Sequence, residues 1–288
     1  MPLFSVANLR QRAVLLGAVR SFFNSRGYLE VETPLRIPAP APEAHIIPQP
    51  SGAWFLQTSP ELCMKRLLAR GIPRLFQICK CFRQEERGRR HLPEFTMLEW
   101  YRAGADYFSL MDECEELLAA VAGIDLAPPW ERLTVEEAFR RYAGMTAAQA
   151  LAADLFDQLM VEKIEPQLGR PRPTFLYDYP AGLAALARKR PDNPNLAERF
   201  ELYIDGLELA NGFSELIDPV EQRQRFVEEQ RRIAATGRTP PPLPEKFLAE
   251  LAAMPPSAGI ALGLDRLAML LLGVESIEAV IAFPPEDL

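Results

Sequence analysis

Apolar residues at Leu9, Ala13, Leu16, Val19 and Phe23 recur with helical spacing, and Gly27 follows where a helix C-terminal glycine belongs. A strand at Leu29–Thr33 stops at Pro34, and a proline-rich stretch to Pro50 reads as an extended surface loop. A short strand is expected at Trp54–Gln57. A helix opens at Ser59-Pro60-Glu61 and runs to Arg70, with Ser59 as N-cap and Pro60 at the first helical position. Further on, Ser109–Ala122 is amphipathic, and Leu133–Leu168 is alanine-rich and mostly helical in pattern. Strands are expected at Thr174–Tyr179, Arg199–Ile204 and Leu207–Leu216, the last two divided by the turn signal Asp205-Gly206. Helices follow at Pro219–Thr236 and Glu245–Ala253, then a strand at Gly259–Leu264 and a helix at Asp265–Leu272. Hairpins dominate and strand–helix–strand alternation is absent. The predicted class is therefore α+β, an antiparallel β-sheet flanked by helices.

One pair of strands departs from the inward-apolar pattern. Phe82-Arg83-Gln84-Glu85 and Phe95-Thr96-Met97-Leu98-Glu99-Trp100-Tyr101 are joined by a charged loop containing His91. With strand alternation, Arg83 and Glu85 share one face, and so do Phe95, Met97, Glu99 and Tyr101. An arginine, two carboxylates, a flat ring and a phenol make poor core material but a good site for a nucleotide and an amino acid.

Composition narrows the class. A 48% hydrophobic and 25% charged chain of 288 residues has the make-up of an ordinary soluble protein. The most apolar stretch, Ala258 to Val274, is broken by Asp265 and Arg266, and no N-terminal signal pattern is present. A cytoplasmic protein with no membrane span is expected. Cys63, Cys79, Cys81 and Cys114 form no C-x-x-C pair, which predicts reduced thiols and no zinc site. The net charge of −7 argues against broad nucleic-acid binding. Yet Lys65, Arg66, Arg70, Arg74, Lys80, Arg83, Arg87, Arg89 and Arg90 cluster in one span, either a solvated face with a loop or a basic rim around a phosphate site.

Two further constellations carry chemistry. Glu208 and Glu215 lie seven positions apart, on opposite faces of a regular strand. A bulge at Asn211-Gly212 would return them to one face, where two carboxylates could hold Mg²⁺ against phosphate oxygens. In Gly259-Ile260-Ala261-Leu262-Gly263-Leu264-Asp265-Arg266, small residues admit a ligand, and Arg266 near a helix start would meet a phosphate. The chain lacks a G-x-x-x-x-G-K-[ST] loop, and two histidines leave little room for a Ser–His–Asp system.

In order, these stretches resemble the three motifs of the class II aminoacyl-tRNA synthetases. Thr58-Ser59-Pro60-Glu61, Pro93–Glu99 and Asn211–Leu216 resemble the lysyl branch, and Gly27–Pro34 resembles the dimer-forming first motif. Glu99-Trp100-Tyr101-Arg102, Gly206–Asn211 and Ala261 are similar to the elongation factor P–(R)-β-lysine ligases, truncated paralogues of lysyl-tRNA synthetase. The resemblance implies one catalytic domain over 1–288 with a helical insertion at about 105–172, no anticodon-binding domain and a homodimer. It implies ATP and Mg²⁺ as cofactors, (R)-β-lysine or lysine as substrate, and elongation factor P instead of tRNA as acceptor.

Carried over by position, Arg83 would bind the substrate carboxylate and α-phosphate, with Glu85 and Phe95 fixing the adenine. Arg266 would hold the γ-phosphate, and Glu208 with Glu215 would place the metal. Gln84, His91, Leu92, Leu209 and Gly263 complete the nucleotide site; Ser59, Pro60, Glu61, Glu99, Tyr101, Glu215 and Ala261 form the amino-acid site. Arg83 and Arg266 are the catalytic pair. Two departures stand out: Leu92 and Gln84 occupy positions where the family usually has asparagine, which predicts weaker ATP binding. An α-lysine-adenylating enzyme with a tRNA-like or small-molecule acceptor, or a non-catalytic paralogue, remain alternatives.

Overall fold

The structure is a computed structural model that describes residues 5–121 and 129–288. Its strands are β1 Leu29–Glu30, β2 Arg36–Ile37, β3 Pro50–Ser51, β4 Trp54–Leu56, β5 Arg74–Phe82, β6 Glu94–Ala103, β7 Glu131–Thr134, β8 Thr174–Pro180, β9 Leu196–Ile204, β10 Leu207–Ser214 and β11 Ser257–Gly263. Its α-helices are α1 Val6–Ser25, α2 Glu61–Ala69, α3 Tyr107–Val121, α4 Val135–Ala138, α5 Ala147–Ala152, α6 Phe156–Leu159, α7 Pro219–Ala235, α8 Glu245–Glu250 and α9 Leu264–Leu272.

Eight strands form one sheet in the order β1-β5-β6-β11-β10-β9-β8-β7. The six inner strands pair antiparallel as expected, whereas β1–β5 and β7–β8 at the two edges pair parallel. The expected strand Leu29–Thr33 shrinks to two paired residues because its far half faces Pro34 and the proline-rich loop. Leu133, expected at the start of a helical run, instead lies in β7, and the final residue of the expected Ser109–Ala122 helix is outside the described residues. Between β9 and β10, Asp205 (φ +53°) and Gly206 (φ +70°) both take left-handed backbone. That geometry matches the right-handed twist of the flanking strands.

One face of the sheet is apolar. Phe76, Leu98, Trp100, Ile260 and Leu262 project from it against Val19 and Phe23 of α1, Leu110 and Cys114 of α3, and Leu267 of α9. The face of α1 that enters this core is Leu15, Val19, Phe22 and Phe23, rotated slightly from the expected stripe. The other face carries polar side chains and forms the floor of a cavity of about 630 Å³. Helices α2, α7 and α8 close it at one end through Leu62, Met64, Phe226 and Phe247. The segments between β7 and β8 contribute Phe156 and Met160 at the other.

Candidate active site

Strand register places the site. Gln77 of β5 lies opposite Glu99 of β6, Glu99 opposite Ala261 of β11, Ala261 opposite Asn211 of β10, and Asn211 opposite Glu201 of β9. One step along, Tyr101, Gly259, Phe213 and Arg199 form a parallel row. Alternation thus sets Phe95, Met97, Glu99 and Tyr101 on the cavity wall while Leu98 and Trp100 enter the core. Gly259 is required by its neighbours: a Cβ there would lie 2.1 Å from the Tyr101 ring and 2.6 Å from a Glu215 carboxylate oxygen.

At this end of the cavity the side chains form a closed polar network. The Ser59 hydroxyl donates to Glu99 (2.7 Å) and accepts from the Glu61 backbone N–H (3.0 Å); Tyr101 donates to the other Glu99 oxygen (2.5 Å). Ser59 thus supports the helix start although α2 begins one residue later than expected. Lys65, one turn after Glu61 on α2, is fully buried and bonds both Glu61 and Glu215 at 2.5 Å. It was expected on a basic surface, but with these carboxylates on the inner face of α2 its ammonium turns inward. Burial would lower the Lys65 pKa, but Glu215 and Glu61 outweigh it and push it up to about 12. Burial, then Glu61, pushes Glu99 up to about 8 against the pull of Tyr101 and Ser59. Burial also raises Glu215 to about 8, with Lys65 opposing. A site that holds protons in this way favours a cationic ligand, which would replace them.

The opposite end carries the arginines. Arg83 follows β5, its backbone N–H bonded to Pro93 O (2.9 Å) and its guanidinium 5.1 Å from the centre of the Phe95 ring. Its Nε is buried without a partner, an orphan donor on the cavity wall. Arg266, in the first turn of α9, donates to Glu208 O (2.8 Å) and to His91 Nε2 (2.5 Å). Burial and then Arg266 hold the His91 pKa below its usual value, so the ring is a neutral acceptor. Leu209, Ala261 and Gly263 line the cavity between the two ends.

The expected metal pair is corrected. The bulge in β10 falls between Glu208 and Ala210, not at Asn211-Gly212, which pair regularly with Ala261 and Ile260. It does bring Glu208 to the cavity face, but Glu215 sits at the far end of the strand. They are seven residues apart, one of them taken up by the bulge, so at about 3.3 Å per rise roughly 20 Å separates them, and Glu215 is engaged by Lys65. The carboxylate that feels the charge of Glu208 is Glu201 of β9, raised by burial and then by Glu208 against the pull of Arg199; it is held by Arg199 (2.5 Å), Tyr179 (2.5 Å) and Tyr203 (2.7 Å). Sequence reasoning missed Glu201 because only cross-strand pairing joins it to the site. Glu208 meets Arg266 at 3.4 Å and keeps open lone pairs, so this donor set fits Mg²⁺. Among the described residues no cluster of three or more ligating side chains exists.

Other positions are also corrected. Leu92 is 2% exposed and packs in the core with Leu98 and Ile277, so it occupies no nucleotide contact and its hydrocarbon nature is what the position demands. Gln84 and Glu85 are not part of the cavity wall: pairing ends at Phe82, and Glu85 takes φ +68° on the exposed side of the turn, while Glu86 lines the cavity. Pro60 is buried behind the wall and terminates the chain's entry into α2. Much of the expected basic rim is neutralised: Arg66 and Arg70 bond Glu250, Lys80 bonds Glu94, and Arg87 bonds Glu278 and Glu286. The four cysteines are free thiols. Among the described residues no helix is long and apolar enough to cross a membrane.

A family model for the class II tRNA synthetases (D, K and N) matches residues 4–287. The chain belongs to the class II tRNA synthetases. It is 42% identical to the elongation factor P–(R)-β-lysine ligase of Sodalis glossinidius, over 99% of this chain and 97% of the relative. It is 43% identical to the protein of that name from Erwinia tasmaniensis (98% and 96%) and 42% to that of Salmonella paratyphi B (98% and 96%).

Proposed function

We propose that this chain is an ATP-dependent ligase that activates (R)-β-lysine as its adenylate and transfers it to a lysine ε-amine of elongation factor P. The observation that carries this reading is a count of charges. At the amino-acid end, the three carboxylates of Glu61, Glu99 and Glu215 face the single ammonium of Lys65, an excess of two negative charges when all are ionised. Two substrate ammonium groups would match them, displacing the protons that Glu99 and Glu215 hold in the free site. The shared name of the relatives supports the same substrate and acceptor.

In the first step, Glu61 and Glu99 receive the ammonium nearest the substrate carboxylate, while Tyr101 and Glu215 lie toward the distal one. Arg83 clamps that carboxylate against the α-phosphate, the Phe95 ring supports the adenine, and Arg266 with neutral His91 holds the γ-phosphate. Glu208, with Glu201 beside it, would hold Mg²⁺, which neutralises phosphate charge. The carboxylate attacks the α-phosphorus and pyrophosphate departs. Catalysis then comes from orientation and charge stabilisation. The reading includes a cytoplasmic homodimer without tRNA as substrate, in which the exposed Val6, Val14, Leu29 and Leu35 would be covered, and residues 105–172 as the insertion in a single catalytic domain.

ATP–pyrophosphate exchange with (R)-β-lysine, α-lysine and norleucine tests the charge count. Exchange is expected with the diamines, strongest with (R)-β-lysine, and absent with norleucine; equal exchange with norleucine would defeat the reading. Ala261 faces Glu99 and Asn211 across the floor, so one methyl group there shapes the space beside the substrate backbone. Ala261→Gly is expected to lower the preference for (R)-β-lysine over α-lysine, read as the ratio of kcat/KM values, about tenfold.

A further inference from the structure

The second chemical step needs a group that the assigned residues do not supply. An acceptor lysine arrives as an ammonium, and its nitrogen must shed protons to become an amide. Of the glutamates lining the cavity, Glu61 and Glu99 are held by Lys65, Ser59 and Tyr101, and Glu201 by Arg199 and two tyrosines. Glu86, Glu165, Glu208 and Glu229 also have partners. Among the described residues, the carboxylate of Glu43 alone of this set makes no hydrogen bond or ion pair, although it lies on the cavity wall.

Its backbone is nonetheless held in place. The Ala44 N–H donates to Glu229 of α7 (2.8 Å), Arg238 donates to Ala44 O, and the Glu43 carbonyl accepts from Ile46 N–H (3.2 Å). Further along the same loop, Gln84 N–H bonds Ile47 O (2.8 Å), and Pro48 forms a bridge to Arg83. The segment carrying Glu43 is therefore tied directly to the backbone of the arginine assigned to the reacting carboxylate and phosphate. We propose that Glu43 is the proton acceptor of the transfer step, taking the proton released by the acceptor lysine nitrogen.

This inference rests on the two-step reading above. Glu43 takes one proton from the arriving ammonium, and the neutral amine that results attacks the adenylate carbonyl and forms a C–N bond. The carbonyl carbon–oxygen bond to phosphate breaks, AMP leaves with that electron pair, and the second proton on the adduct nitrogen leaves with the departing phosphate. Burial and then Glu61 of α2 push the Glu43 pKa up to about 7; Glu229 of α7 adds to this, while Arg83 and Arg199 of β9 oppose it. A carboxylate there is a stronger base than an ordinary glutamate and still ionised at mildly alkaline pH.

The experiment compares wild type, Glu43→Gln and Glu43→Asp in three assays: pyrophosphate exchange, transfer to elongation factor P, and trapping of the adenylate with hydroxylamine, which arrives unprotonated at neutral pH. Glu43→Gln is expected to lose transfer about 100-fold while exchange and hydroxamate formation hold, and to lose the limb of the transfer pH profile near 7. Glu43→Asp is expected to recover part of the transfer. Unchanged transfer in Glu43→Gln would overturn the proposal, and so would exchange falling in parallel with transfer, which would make Glu43 an amino-acid ligand or a loop support. Wild-type exchange with some other amino acid, and none with (R)-β-lysine, would instead defeat the function proposed above; the same three assays, with an alkylamine as acceptor, would then decide Glu43 on that amino acid.

Discussion

Arg83→Ala is expected to lower kcat/KM for ATP–pyrophosphate exchange about 1000-fold without loss of fold. One preorganised donor removed from developing charge costs about 10²–10³ in rate, and Arg83 is assigned to two anions at once, the substrate carboxylate and the α-phosphate. Its structural commitments are slight: a 3.5 Å approach to Glu86 and contact with the Phe95 ring. Thermal melts of the variant should therefore stay close to wild type while activity collapses. Arg83→Lys should recover only part of the loss, because an ammonium cannot present the planar fork that meets two oxygens together. A variant that melts normally and retains more than a tenth of the exchange rate would remove Arg83 from the reacting centre.

The second large effect is on stability and falls on a residue outside the reacting groups. Lys65→Met should cost about 3–5 kcal/mol near neutral pH and above, since it leaves buried Glu215 and half-buried Glu61 without their shared cation. The pH dependence has a definite sign. Lys65 rises from 10.5 to about 12 on folding, so its stabilisation is complete below 10.5 and fades as pH climbs through 12. In the variant Glu215, already raised to about 8, loses that cation and holds its proton more tightly still. The unfolded chain releases this proton near pH 4.3, so the folded variant loses stability as pH rises from there. The deficit against wild type should be small in mild acid, where both states carry the protons, and greatest above pH 8, where wild-type Glu215 has ionised. Equal melting temperatures across that range would show that Lys65 does not neutralise the cluster.

The parts of the site that were legible in the sequence follow from local rules. Alternation alone assigned Phe95, Met97, Glu99 and Tyr101 to one face, because a strand has no freedom to do otherwise. Asp205-Gly206 announced its turn through the backbone conformations those residues tolerate. What escaped depended on register and on the third dimension. Glu85 was extrapolated along a strand that ends three residues earlier, at Phe82. Leu92 was judged by analogy with an asparagine, yet its side chain turns the opposite way into the core. The pairing of Glu208 with Glu215 failed because a shared face says nothing about distance along it, and Glu201 is joined to Glu208 only across the β9–β10 hairpin. Lys65 could have been read inward: Glu61 and Lys65 lie four apart on one helix, and a carboxylate in the site draws its cation with it.

Coupling of (R)-β-lysine to a protein acceptor is tested most directly by the intact mass of purified elongation factor P after incubation with this protein, ATP, Mg²⁺ and (R)-β-lysine, with a parallel reaction on lysine tRNA. One β-lysyl group is expected on a single lysine of elongation factor P, dependent on ATP and lost in Arg83→Ala, with no aminoacylated tRNA. Unmodified elongation factor P beside charged tRNA would contradict it.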